Sequence, residues 1–226
     1  MSKKAWIIFG VVVVLLFGGL VYVSSKGKID VSNVDTNKVQ PASKQAGNIA
    51  DHVFGKKESK IVLIEYGDFQ CPGCAGAHPN LKTISEKYKD KIAFVFRNFP
   101  LTSIHPNARA AAAAAEAAGL EGKYWEMHDK IYTNQKSWEG SSTSERTQLF
   151  AGYAKEVGID NATFEKALTN VSINQQISFD QALGKKINVS GTPTILLNGE
   201  KLSDEISNDV IQSDGAKLEA LIKAKL

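Results

Sequence analysis

The chain's two cysteines stand together as Cys71-Pro72-Gly73-Cys74, between the apolar run Ile61-Val62-Leu63-Ile64 and a segment with helical spacing. A thiol at the first turn of a helix faces unpaired backbone N–H groups and the positive end of the helix dipole, and both favour the thiolate. Cys71 is therefore the expected nucleophile. Pro72 suits the first helical position, because its ring presets φ and its missing N–H would have no partner there. Two other chemistries compete for the pair. A structural zinc site needs four ligands, so His52, His78, His105 or His128 would have to complete it, and a second ligand pair at short spacing is absent. A purely structural disulfide across so short a loop would remove little unfolded-state entropy. Redox exchange is the favoured chemistry, with no metal and no cofactor expected.

Positioning such a pair takes a strand before it and a helix after it. Residues 60–66 form a continuous apolar run, of the kind buried on both faces of a mostly parallel sheet, so the motif sits at a strand's C-terminal end. The helix predicted over 72–89 carries Ala77, Leu81, Ile84 and Tyr88 on one face, and a second strand follows over 92–96. Roughly 70 residues of helix then interrupt the sheet, the size of a small inserted subdomain. They comprise an alanine-rich helix over 107–118 stopped by Gly119 and a helix over 123–134. A third opens on the capping-box pattern Ser142-Thr143-Ser144-Glu145 and ends at Gly158, and two more lie over 163–168 and 173–186. The sheet resumes as a hairpin, 194–197 and 200–202, turning on Asn198-Gly199, and a last helix is expected over 214–226.

Charge and composition exclude some partners. With 27 basic and 24 acidic residues, net +3, and lysines interleaved with acids, nucleic acid is not indicated. Residues 6–23 run eighteen positions without a charge, flanked by lysines, which just reaches the length of a membrane span. An uncleaved anchor is the favoured reading and a cleaved signal ending near Val23-Ser24-Ser25 the alternative; either way the body of the chain is exported. Outside the membrane a lone dithiol can cycle with other proteins' thiols. The expected organisation is an anchor over 1–26, a polar tether over 27–50 or a short extra strand near 29–34, and one domain over 51–226 with its helical insertion at about 103–170.

Three stretches together carry a recognisable pattern. They are Glu65-Tyr66-Gly67-Asp68-Phe69-Gln70-Cys71-Pro72-Gly73-Cys74, the helical stretch with His105-Pro106 and Trp125-Glu126-Met127-His128, and Gly191-Thr192-Pro193-Thr194. From about residue 49 onward the chain resembles the DsbA-like disulfide oxidoreductases of the thioredoxin superfamily, in their exported, membrane-tethered form. The resemblance implies an α/β thioredoxin fold with an inserted helical subdomain, preceded by a transmembrane helix. It implies a cis Pro193 against the dithiol, with the backbone of Thr192 pairing with an extended substrate chain. It also places Glu65 where relatives carry a buried acid beneath the pair, able to take the proton of Cys74.

The implied activity is oxidation of exported protein thiols by a monomeric enzyme, with a quinone-linked membrane protein as reoxidant. Reductase or isomerase activity through the same residues is the nearest rival, and a non-catalytic binding module the rival of another class. Gly73 departs from the histidine of the best-known oxidants, and Thr192 differs from the aliphatic residue of some of them, so the direction of exchange stays open. His78, His105 and His128 read as packing or solvated residues, and Trp125 and Trp138 as insertion core or surface contacts.

Overall fold

The protein is described by a computed structural model covering residues 29–226 together with 6, 9 and 12–15. It divides into two units, 1–30 and 31–226. In the first, residues 6, 9 and 12–15 are helical. The rest of the apolar stretch read as a membrane anchor lies outside the described residues, among which no helix is long and apolar enough to cross a membrane.

The second unit is built on five strands: β1 (Val53–Gly55), β2 (Val62–Gly67), β3 (Ala93–Asn98), β4 (Thr194–Leu197) and β5 (Glu200–Lys201). Their order is β1-β3-β2-β4-β5. Helix α1 (Pro72–Lys87) crosses from β2 to the parallel β3, and the other pairings are antiparallel. Every residue of β2 is buried, as its continuous apolar run requires of a central strand covered on both faces. The β4–β5 turn places Asn198 and Gly199 at φ 51° and 82°, the left-handed pair that a two-residue hairpin needs.

Between β3 and β4 run α2 (Ala108–Leu120), α3 (Tyr124–Thr133), α4 (Gln135–Trp138), α5 (Thr143–Glu156), α6 (Asn161–Leu168) and α7 (Val171–Lys186). Small side chains let α2 lie close to its neighbours: Ala111, Ala114, Ala115 and Ala118 are fully buried against Met127, Ile131, Phe164 and Ile177. The capping box at Ser142 and Glu145 forms as expected. On the sheet's other side, Leu63, Phe94 and Ile195 pack with Leu81 and Ile84 of α1 and with two C-terminal helices, α8 (Asp204–Gln212) and α9 (Ala216–Lys223).

Several expectations shift. Gly119 does not stop α2, which continues to Leu120. A Cβ at Gly119 would come within 2.6 Å of the His52 ring, so that glycine serves a close approach, and Gly122 at φ 73° follows the end of the helix. The expected last helix forms inside its span as α9, entered through Gly215 at φ 72°, and is preceded by an unexpected one, α8, which begins at a Ser203 cap. The stretch expected as a tether is docked from Val31 onward. Lys186 Nζ donates to the carbonyls of Val31, Ser32 and Val34, and Arg97 donates to those of Thr36 and Lys38. No helical or strand period marks this segment, because cations reaching from β3 and α7 hold its backbone.

Candidate active site

Cys71 caps the N-terminus of α1 and Pro72 occupies its first turn. Both cysteines are free thiols; Cys74 is 0% exposed and Cys71 8%. The Thr192–Pro193 peptide bond is cis, and the Thr192 carbonyl oxygen lies 3.3 Å from Cys71 Sγ. A Cβ at Gly73 would come 3.2 Å from Pro193 Cδ and 3.7 Å from Cys71 Sγ, so the proline ring closes over the motif where the glycine leaves room. The expected group of Cys71, Cys74, Thr192 and Pro193 is thus brought together in space.

The two thiols are driven apart electrostatically. Cys71 is lowered to about 5, chiefly by a hydrogen bond from the Cys74 thiol. The Thr192 hydroxyl, which finds no other partner, and the backbone N–H groups of Cys74 and Gly73 add to this. Burial pushes Cys74 well above the ordinary thiol value, and its hydrogen bond to Cys71 and the Glu65 carboxylate act in the same direction. Glu65 sits on β2 beneath the pair and is held up at about 8, first by burial and then by the charge of Cys71, against an opposing hydrogen bond with the Cys74 side chain. At neutral pH the reduced site therefore holds a Cys71 thiolate, a Cys74 thiol and a protonated Glu65.

This gives a direct expectation. Thiolate absorbance of the reduced chain rises with a midpoint near 5 that is lost in Cys71→Ala, while Cys74 contributes no step in the neutral range. Because the folded value lies below the ordinary 9.0, the thiolate's contribution to the stability of the reduced form is full above about 9. It declines as pH falls and is gone below about 5. Denaturant titrations of the reduced and oxidised chain across that range measure the difference.

Residues outside the expected set fix the loop before Cys71. Asp68 accepts from Gln70 N at 2.8 Å and from Leu101 N at 2.8 Å, with His105 Nδ1 also 2.8 Å from it. Gln135 donates to the carbonyls of Phe69 and Cys71, and Gln70 donates to that of Glu139. The helical insertion thereby positions the nucleophile's own backbone. Asp68 and Gln70 lie inside the cysteine motif, where adjacency was the one available signal; Gln135 had none. Trp138 is fully buried insertion core, donating to Ile131 O at 2.8 Å.

Each histidine that a zinc site would have required is held by a carboxylate: His52 by Glu116, His105 by Asp68, and His78 and His128 by Asp129. The last group has the residue types of a metal site. However, Lys82 Nζ sits 2.5 Å from Asp129 Oδ2, placing an ammonium where a cation would need the carboxylate's charge.

A thioredoxin family model, described as "Thioredoxin", matches residues 47–213. The chain belongs to this family. Among solved structures, this thioredoxin domain is similar to BdbD from Bacillus subtilis in its oxidised form, with TM-score 0.64, 23% identity, and coverage of 83% of this chain and 97% of that one. It is also similar to the thiol-disulfide exchange protein α-DsbA2 from Wolbachia pipientis, with TM-score 0.65, 20% identity and coverage of 81% and 91%. The fold is the DsbA type, a thioredoxin core carrying an inserted helical subdomain. A Na(+)/H(+) antiporter, NhaA 1 from Salinispora arenicola, is 37% identical over 151 residues, which are 67% of this chain and 22% of that protein. The chain thus spans about a fifth of the length of that relative. The Cys71–Cys74 dithiol stands at the end of the central strand of this thioredoxin domain, at the start of α1.

Proposed function

We propose that this protein is a thiol-disulfide oxidoreductase working as an extracytoplasmic dithiol oxidase, anchored through residues 6–23 and introducing disulfides into exported proteins. The observation that carries the direction is the thiolate of Cys71, lowered to about 5. Whatever stabilises the thiolate stabilises the reduced pair relative to the disulfide, and so makes the disulfide the stronger oxidant. In the forward reaction a substrate thiolate attacks Cys71 sulfur, breaking the Cys71–Cys74 bond and leaving the electron pair on Cys74. Glu65 then supplies the proton that a buried Cys74 requires. The substrate's second thiolate attacks its own sulfur in the mixed disulfide and expels Cys71 as a thiolate, a good leaving group that needs no proton. Thr192 and Pro193 supply the platform for the substrate's extended backbone. A quinone-linked membrane protein would reoxidise the pair, and the working unit is a monomer.

The rival direction, reductase or isomerase, draws on Gly73, which provides no side-chain partner for the thiolate, and on Thr192. The reduction potential decides between them. The oxidase reading expects a value nearer −120 mV than −270 mV, measured against glutathione or dithiothreitol buffers; a value near about −270 mV overturns it. Gly73→His sharpens the same measurement. Its Cβ needs Pro193 to give by a few tenths of an ångström. Its ring then adds a donor to the thiolate, and the potential is expected to rise by about 30–60 mV.

A further inference from the structure

Asp68 holds both cysteines through its peptide groups. Its N–H donates to Cys74 Sγ at 3.5 Å, and its carbonyl accepts from Cys71 N at 3.0 Å. The side chain is fully buried and its two carboxylate oxygens are spent on fixing that backbone. Oδ1 accepts from Gln70 N at 2.8 Å. Oδ2 takes both ends of the loop after β3, Leu101 N at 2.8 Å and His105 Nδ1 at 2.8 Å. That loop is closed on itself by the His105 N–H, which donates to the Leu101 carbonyl at 2.9 Å. Gln70 is fixed in turn, its side chain accepting from Asn107 N and donating to the Glu139 carbonyl. Cys74 sits in the first turn of α1, so both the sulfur and the N–H that meets it are held from several sides.

The Asp68 N–H is aimed at the sulfur on which charge appears and then vanishes. In the reduced chain Cys74 is a thiol, pushed up first by burial and then by its hydrogen bond to Cys71, while the Asp68 N–H acts in the opposite direction. In the oxidised chain the same sulfur is half of a neutral disulfide. A negative Cys74 exists only between the two, when the S–S bond has opened and no proton has arrived. Cys74 is 0% exposed, so water does not solvate that charge. A donor already in place stabilises it without reorganisation, as an oxyanion hole does for oxygen.

We propose that the backbone N–H of Asp68 is a thiolate hole for Cys74, and that the Asp68 carboxylate and His105 are the residues that position it. The inference rests on the reading of Cys71 and Cys74 as a thiol-disulfide exchange pair, in whichever direction it runs. When a substrate thiolate attacks Cys71 Sγ, a bond forms between the two sulfurs and the Cys71–Cys74 bond breaks. Its electron pair passes to Cys74 Sγ, which faces the Asp68 N–H as a thiolate until it is protonated. In reverse, the Cys74 thiolate attacks Cys71 Sγ, the enzyme disulfide reforms and the substrate sulfur leaves with the electron pair. Both directions cross the same charged transition state, so the hole speeds both by the same factor. The end states carry no charge on Cys74, and the reduction potential is therefore independent of the hole.

The test is single-turnover reduction of the oxidised full chain by dithiothreitol, set against the reduction potential and against alkylation of Cys71 by iodoacetamide in the reduced chain. Asp68→Ala releases Gln70, Leu101 and His105 together, and His105→Leu removes one donor from Oδ2. The first should slow reduction about tenfold and the second about threefold. In both, the potential and the Cys71 alkylation rate should stay at wild-type values, because Gln135 still holds the Cys71 carbonyl. His105→Asn, whose side-chain amide brings a donor close to the place of Nδ1, should restore the rate. Slowing that comes with an equal loss of Cys71 alkylation, or with a shifted potential, makes the clasp merely structural and overturns the hole. Wild-type reduction rates in both variants overturn it as well; should Asp68→Ala not fold, His105→Leu and His105→Asn decide. The exchange reading fails on a different result: a wild-type chain that forms no Cys71–Cys74 disulfide, or whose disulfide does not exchange with dithiothreitol, overturns that reading and the hole with it.

Discussion

Cys74→Ala is expected to turn the enzyme into a trap. Cys71 keeps its place at the start of α1, with the Thr192 hydroxyl and two backbone N–H groups still lowering its thiol, so it still attacks a disulfide-bonded substrate. The second thiol that would expel the substrate is gone. A covalent adduct through Cys71 should accumulate on non-reducing gels and by intact mass, and catalytic turnover should fall by about three orders of magnitude. The loss of the Cys74 hydrogen bond, the largest influence on Cys71, should also raise the thiolate midpoint above 5 in the same variant. Cys71→Ala gives the opposite pattern, with neither adduct nor turnover, because Cys74 is fully buried and no substrate sulfur reaches it. This asymmetry separates an enzyme from a module that merely holds exported chains. A binding module would keep its activity in Cys74→Ala and show no adduct.

The chemistry was legible in the sequence because it is local. A helix start, a strand end and two thiols three positions apart follow from adjacency alone, and the structure brings Cys71, Cys74, Thr192 and Pro193 together as the motifs imply. Glu65 was readable for a related reason: an acid inside a run that is buried on both faces has nowhere else to go. Contacts between distant segments were not legible. His78 and His128 lie 50 positions apart and each looks like an ordinary packed histidine, yet α1 and α3 bring both onto Asp129 and beside a cavity under Glu65. Gly119 had the type of a helix stop, but its function is set by His52, which reaches it from the segment before β1. Strand β1 is three residues long and its pattern is too short to show a period; its pairing with β3 forms it.

The segment from Val31 to Asp51 shows the same limit at the scale of stability, and Arg97 is where it can be tested. This side chain on β3 is 0% exposed and spends its guanidinium on four partners: Asp51 Oδ2 at 2.8 Å, the carbonyls of Thr36 and Lys38 at 2.6 and 2.7 Å, and the Tyr66 hydroxyl at 2.9 Å. Burial works against its charge, but the Asp51 carboxylate more than offsets that. Arg97→Leu removes the donors to the Thr36 and Lys38 carbonyls, leaving Lys186 to hold the start of the segment, and leaves Asp51 buried with Gln40 N, at 2.8 Å, still donating to it. Asp180, a further buried acid, also feels the loss of a nearby positive charge, since burial, Asp51 and Glu116 already push it upward while Arg97 opposes them. Breaking a buried pair by removing one partner costs about 3–5 kcal/mol, far more than a surface pair would. Denaturant unfolding of Arg97→Leu should show that loss, and limited proteolysis should cut first within 31–51, where the freed carbonyls have only water to replace the guanidinium. Pairing the change with Asp51→Leu removes the stranded charge and should recover part of the stability, while the 31–51 cleavage persists because the Thr36 and Lys38 carbonyls stay unpartnered. A single variant within about 1 kcal/mol of wild type would mean that the segment is held by its apolar contacts, Val31, Ala46 and Ile49, and that the arginine is incidental to its docking.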